Sequence, residues 1–396
     1  MPLGLYISVP FCRTKCSYCN FASDVFSKAI FERYVDRVCE DLRRAAATAE
    51  QMGGQFEPGV DSIYLGGGTP TVLDIAQFKR LFVTISQNFA LVGDAEITVE
   101  CAPGTLSEAV LATLQRCGVN RVSLGVQSFV DQEAASVGRL HNRSTVLGDM
   151  KRLRAAGITN LNLDLIAGLP HQTRQSWEYS LDEVIASGID HVSIYMLEVD
   201  QDSRLGRELI AGGTRYHAHF VPDEDTVADL YSLACERLEN AGLRQYEISN
   251  FARAGHESRH NLKYWTRQPY LGFGVDAHSM LPCRDDAQTA VRFSTDDSLE
   301  EYVREKALSR TLVDTQAALE ETFFLGLRLN RGVDLRTVAA DFGDRAVGHF
   351  WATMAELAAA GLLQIEGNVI RLTPRGRLLS NEVFERFLTA NDTLVK

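Results

Sequence analysis

The chain has no window of eighteen uninterrupted apolar residues, so nothing in its 396 positions reads as a membrane-spanning helix. The opening residues, MPLGLYISVPFC, contain neither a basic segment nor a small-residue cleavage site. They are therefore expected to enter the first strand directly and not to form a secretory leader. Positive charge is in short supply. Forty Lys and Arg stand against 52 Asp and Glu, a formal charge of −12, which disfavours nonspecific nucleic-acid binding and a polybasic membrane contact. The sequence shows no repeat of fixed period. Cysteine is sparse as well: eight in a chain this long do not make a disulfide framework, and three of them cluster. Clustered thiols in such a chain point to metal and to a reducing, cytoplasmic setting. What is present is ordinary, with 45% hydrophobic and 23% charged residues, enough for a sizeable core.

In the first half, short β-rich runs alternate with segments of helical period. LYISV (5–9), SIYLG (62–66), EITVE (96–100), RVSLGVQ (121–127), LNLDLIAG (161–168) and HVSIYML (191–197) read as strands. Helices are expected over 26–52, 74–89, 107–117 and after Thr173. Strands separated by helices of this length imply parallel βαβ units, in an incomplete barrel or a doubly wound sheet. Residues 200–222 read as a surface loop, 223–241 as a helix, the stretch through Pro282 as irregular, and 283–297 as a polar loop. The C-terminal LAAAGLLQIEGNVIRLTPRGRLLSNEVFERFL reads as helix, two short strands and helix, a winged-helix pattern. Residues 315–396 hold nine Lys/Arg against ten Asp/Glu. Without a basic face, that domain is expected to be structural or a docking module rather than a DNA reader.

The clustered thiols are Cys12, Cys16 and Cys19, in FCRTKCSYCNF (11–21). A C-x3-C-x2-C loop after a strand can hold three corners of an iron–sulfur cube and leave the fourth iron open. A zinc site completed by a distant His and chance clustering are the alternatives that spacing leaves standing. YLGGGTPT follows the second strand. Its glycines allow backbone N–H groups to approach a charged ligand, and the absence of Gly-Lys-Ser/Thr excludes a P-loop. Glu100 ends the third strand, Gln127 the fourth, and Asp164 lies in the fifth, at the strand ends where parallel sheets bind ligands.

The loop CRTKCSYC, with an aromatic before its last Cys, resembles the signature of the radical S-adenosylmethionine (SAM) superfamily. The resemblance implies a partial (β/α)6 barrel and a [4Fe–4S] cluster on Cys12, Cys16 and Cys19. In that family SAM completes the open iron and is cleaved reductively to a 5′-deoxyadenosyl radical. Together with VGRLH and LDLIAGLP, the strand-end residues resemble the coproporphyrinogen-oxidase-like branch, over most of the chain. By that likeness Tyr6, Gly67, Gly68, Thr69, Glu100, Gln127, Arg139 and Asp164 line the SAM pocket and Tyr18 packs beside the cluster.

Within that branch the oxygen-independent coproporphyrinogen oxidase carries a further Cys two residues past the third, where this chain has Phe21. It also has a longer N-terminal segment than the eleven residues that precede Cys12 here. Both departures match the heme-chaperone branch. RHNLKYW (259–265) resembles the HNxxYW heme-binding motif of that branch, which makes His260 a candidate heme contact. His278, in GFGVDAHSM, is a second one, although Val275-Asp276 departs from the Pro-Gly pair of the family loop. The expected organisation is a barrel with cluster and SAM over 1–200, a connecting region with HNxxYW over 201–297, and a winged-helix-like mainly helical domain over 298–396. The expected function is a heme chaperone that passes heme to acceptor proteins, with transient contact to membrane-bound acceptors allowed and no nucleic-acid partner. Oxidation of coproporphyrinogen is the enzymatic alternative, and whether the chain turns over a substrate is left open.

Overall fold

The computed structural model describes residues 1–284, 289–304 and 307–388. Six parallel strands follow one another in chain order: β1 (Leu3–Val9), β2 (Gly59–Gly67), β3 (Ala90–Cys101), β4 (Arg121–Gln127), β5 (Asn160–Ala167) and β6 (His191–Met196). Helices Lys28–Met52, Ile75–Asn88, Glu108–Arg116, Arg143–Ala155 and Arg174–Ala186 cross between them on the outside. The expected partial barrel of six strands is present, and its sheet does not close.

Strand periodicity sorts the side chains into two sets. On β1, Leu3, Leu5, Ile7 and Val9 point outward and are fully buried under the helices, as do Ile63 and Leu65, Val122 and Leu124, Leu161 and Leu163, and Val192 and Ile194. The alternate positions face the interior of the curve and are largely polar. In register they run Tyr6–Tyr64–Thr98–Arg121 in one layer, with Glu100–Ser123–Asn162–His191 and Gly125–Asp164–Ser193 rising across the later strands. The core that stabilises the fold therefore lies outside the sheet. The concave side is left for polar groups. Local signals set the helix starts: Asp74 and Gln77 form a reciprocal capping box, as do Thr173 and Ser176.

The sheet continues beyond both edges of the parallel unit. Antiparallel β8 (Asn250–Ala252) and β7 (Arg244–Gln245) extend it past β6. On the other side β9 (Tyr270–Phe273) pairs parallel to β1, and β10 (His278–Pro282), β11 (Ala290–Ser294) and β12 (Ser309–Val313) follow antiparallel. These strands correct the expectation of an irregular stretch through Pro282 and a polar loop over 283–297, of which 285–288 lie outside the described residues. Runs of two to five residues are too short for alternation to register. The surface loop expected over 200–222 also contains a helix, Arg204–Ile210, capped by Ser203 Oγ on Gly206 N at 2.9 Å. The C-terminal part has the expected winged arrangement, with β13 (Val333–Asp334), β14 (Leu363–Glu366) and β15 (Val369–Leu372) ordered β13-β15-β14 beside short helices. Phe323, Phe350 and Phe387 fill its core.

Candidate functional site

The thiol loop leaves the top of β1 and is clasped before it reaches its first cysteine. Phe11 stacks on Phe31 at 3.8 Å between ring centres and meets Phe26 and Tyr34 edge-on. Cys12 N donates to Asp24 O and Asp24 N to Pro10 O, both at 3.0 Å, closing the loop at its neck. Lys15 Nζ fills its interior, donating to Phe21 O at 2.7 Å and Ser23 O at 2.6 Å. Ser17 N donates to Val137 O, and Ser17 O accepts from Leu205 N at 2.7 Å. The glycine run takes part in the same clasp. Gly68 N donates to Val9 O at 2.8 Å and Thr69 N to Phe11 O at 2.7 Å. A side chain at Gly68 would meet those same backbone atoms within 3.0 Å. These two N–H groups are thus committed to holding the thiol loop, so of the glycine run expected to offer N–H groups to a ligand, Gly68 has its own already spent.

Among the described residues no three His, Cys, Asp or Glu side chains converge on one ion. The thiols nevertheless sense one another, since burial above all, and then Cys19 and Cys16, push the Cys12 thiol up. Two donors reach their sulfurs: Arg139 Nη1 to Cys16 Sγ at 3.6 Å and Thr69 Oγ1 to Cys12 Sγ at 3.9 Å. Arg139 also donates to Gly125 O, and no carboxylate pairs with it among the described residues. A cation so placed fits thiolate sulfur and an anionic ligand together. Donors aimed at two of the three sulfurs suit thiolates that carry charge. Tyr18 packs against the cluster of Val137, Ile166 and Leu169, as does Leu197.

The strand-end residues converge above the concave surface. Glu100 is pushed up to about 7, chiefly by burial, while the Tyr64 hydroxyl at 2.7 Å opposes the shift and Asp164 adds to it. Asp164 is pre-arranged by Ser123 Oγ at 2.8 Å and Asn162 Nδ2 at 2.7 Å, and burial raises its carboxyl too. Gln127 sits at the end of β4 with φ +68, where the β4–β5 register slips. Tyr6 lies beside Tyr64 at 6.2 Å, and burial raises its hydroxyl. A cavity of 190 Å³ opens between the thiol loop and the loops after β3 and β4, lined by Arg13, Thr69, Pro103, Arg139 and His141 among others. Sequence reasoning misses Tyr64, Arg121, Ser123 and Asn162. Their signal is nonetheless present: they are the alternate positions of strands whose other residues are aliphatic.

His260 lies elsewhere. The helix Arg259–Trp265 plugs the opposite end of the barrel, with Glu96 accepting from the N–H groups of Arg259 and His260. The His260 ring is 1% exposed. Its Nδ1 is 3.0 Å from Ser62 Oγ, its Nε2 is 2.9 Å from Tyr264 Oη, and it stacks on Tyr64 at 5.4 Å. Burial, with Lys263 and Arg121 nearby, lowers it to about 3, so the ring is neutral. Lys263 pairs with Asp61 at 2.7 Å and passes over Gly4, whose missing side chain makes the room. His278 starts β10, 67% exposed on its side chain and 3.5 Å from Asp276. Asp276 itself has φ +52, a left-handed conformation that glycine adopts at lower cost.

A family model described as the radical SAM superfamily matches residues 6–184, and one described as the HemN C-terminal domain matches residues 313–379. The chain is 34% identical, over 97% of its length and 98% of the relative's, to a protein named heme chaperone HemW from Bacillus subtilis (strain 168). The chain belongs to the HemW family of radical SAM proteins. A second HemW, from Mycobacterium tuberculosis (strain ATCC 25618 / H37Rv), is 32% identical over 98% of this chain and 95% of that one. Among solved structures, coproporphyrinogen III oxidase (HemN) from Escherichia coli, described as a radical SAM enzyme, superposes with a TM-score of 0.81 and 25% identity, covering 98% of this chain and 90% of that one. The fold that this HemW-family chain shares with that oxidase thus extends from the thiol loop to the C-terminal winged unit.

Proposed function

We propose that the chain carries a [4Fe–4S] cluster on Cys12, Cys16 and Cys19, binds SAM beside it, and holds heme for transfer to acceptor proteins. The observation that carries this reading is the thiol loop: three sulfurs with donors on two of them, clasped to the mouth of a polar concave site. When bound, the cluster supplies an iron with an open position and an electron. The chain's residues do the rest. Arg139 offsets charge at Cys16 and is placed for a carboxylate. Glu100 and Asp164, fixed by Tyr64, Ser123 and Asn162, accept from hydroxyl or ammonium groups. Tyr6 and Gln127 shape the mouth around them, Gly67 closes the turn at the head of β2 with φ +96, and Tyr18 shields the cluster. Acceptors reached in the cytoplasm include membrane-bound ones contacted transiently.

Heme is assigned on the strength of the relatives' name and of Phe21, 63% exposed, where the oxidase motif has another cysteine. The second reading, oxidation of coproporphyrinogen, is supported by the TM-score of 0.81 with the oxidase. Anaerobically reconstituted protein decides between them. It is expected to take up about one hemin per chain and to release it to an apo-hemoprotein. Multiple turnovers of coproporphyrinogen with SAM and a reductant would overturn the chaperone reading. Zinc in place of iron in anaerobic preparations would overturn the cluster.

A further inference from the structure

The barrel rim beside the thiol loop carries imidazoles that have no part in holding the cluster or SAM. His171 follows β5, with φ +69, and its N–H donates to Phe220 O at 3.1 Å. Its Nε2 lies 3.0 Å from His217 Nδ1, with ring centres 4.9 Å apart. Phe220, 47% exposed, stands 4.0 Å from both His171 and His219. Tyr216 and His217 are consecutive residues in left-handed backbone, φ +54 and +58, an arrangement costly for residues with side chains and concentrated at ligand clamps. Leu209, Ile210 and Tyr216 add exposed apolar surface to the same segment.

This assembly has the parts of a docking site for a flat apolar disc with a metal at its centre. The three rings do not converge on one ion. A heme needs only one or two axial imidazoles and an apolar face for its ring. With the proton on His217 Nδ1 donated to His171 Nε2, the outer His217 Nε2 keeps its lone pair free at the surface. A ligating imidazole oriented by an acceptor on its other nitrogen is the usual arrangement at metal sites. Arg215, exposed and without an ion pair among the described residues, is available to a propionate. His260, by contrast, would have to break bonds to Ser62 and Tyr264 before binding anything.

Resting on the chaperone reading, we infer that heme docks on the rim segment 204–220, with His217 as axial ligand, His171 positioning it, and Phe220 against the porphyrin. The site is tied to the thiol loop through Leu205 N on Ser17 O and Asn20 Nδ2 on Asp200 Oδ2 at 2.8 Å. The test is a hemin titration of the full-length chain, following the Soret band, in wild type, His217→Ala, His171→Ala and His260→Ala. In His217→Ala the affinity is expected to fall about tenfold or more and the band to move to that of heme without histidine. Added free imidazole should restore the band. His171→Ala should shift the band less, and His260→Ala should leave it in place. Wild-type affinity and spectrum in His217→Ala would overturn the inference while leaving the chaperone reading intact. Weakened binding that imidazole does not restore would overturn ligation by His217. Absence of hemin binding by the wild type would remove both.

Discussion

The two ends of the barrel treat histidine in opposite ways. At the floor, His260 is buried with both nitrogens committed, beside the Lys263–Asp61 pair and the Glu96 carboxylate that caps the plugging helix. At the rim, His171, His217 and His219 stand on a segment with exposed aromatics and left-handed backbone. A motif that resembles a ligand-binding signature can therefore serve the fold, while imidazoles outside any motif have the exposure that ligation requires. What separates them is the number of free lone pairs.

Substitutions can break this contrast. The largest effect belongs to the floor: Lys263→Ala leaves Asp61 without its cation and should cost about 3–5 kcal/mol, read by denaturant unfolding. Unchanged stability would mean that the floor is not structural. Next, His260→Ala orphans Ser62 and Tyr264 and should cost about 1–3 kcal/mol. Because its folded-state value is depressed to about 3, the contribution of His260 is present above its ordinary value near 6.5 and fades as pH falls below it. The wild type should therefore lose this stability in acid and the variant should not.

Glu100 runs the other way. Its value is raised to about 7, so the neutral acid favours the ligand-free fold below its ordinary 4.5, and that contribution is lost as pH rises through 7. Unfolding measured between about pH 5 and 8 should show the slope in wild type and a flatter line in Glu100→Gln. The smallest effect is expected at Phe21: Phe21→Ser, on the exposed outer turn of the thiol loop, should change stability by less than about 0.5 kcal/mol and leave iron content unaltered. Loss of iron there would assign Phe21 to the cluster's shelter.

Much of the barrel and of its upper site is legible in the order of residues. The six barrel strands show themselves through aliphatic runs between long amphipathic helices, and the thiol loop through its spacing. Glu100 and Gln127 can be placed at strand ends and Asp164 within the fifth strand, because strand order dictates which positions meet. What the sequence conceals are long-range facts. The N–H groups of Gly68 and Thr69 are spent on Val9 and Phe11, a pairing invisible without the β1–β2 register. His260 is buried because Glu96, some 160 positions earlier, caps its helix. The short strands β7 to β12 carry too few residues to show a period, and the sheet edges they join decide their existence.

The alternation of aliphatic and polar residues along β1 to β6 has a consequence for how the chain avoids error. A slip of one position in β3, β4 or β5 would drive a glutamate, arginine or aspartate beneath the helices and turn leucine, isoleucine or valine toward the cavity. Misaligned sheets are thereby penalised twice, by stranded charge and by wetted hydrocarbon. The same lettering that furnishes the chemistry also proofreads the architecture.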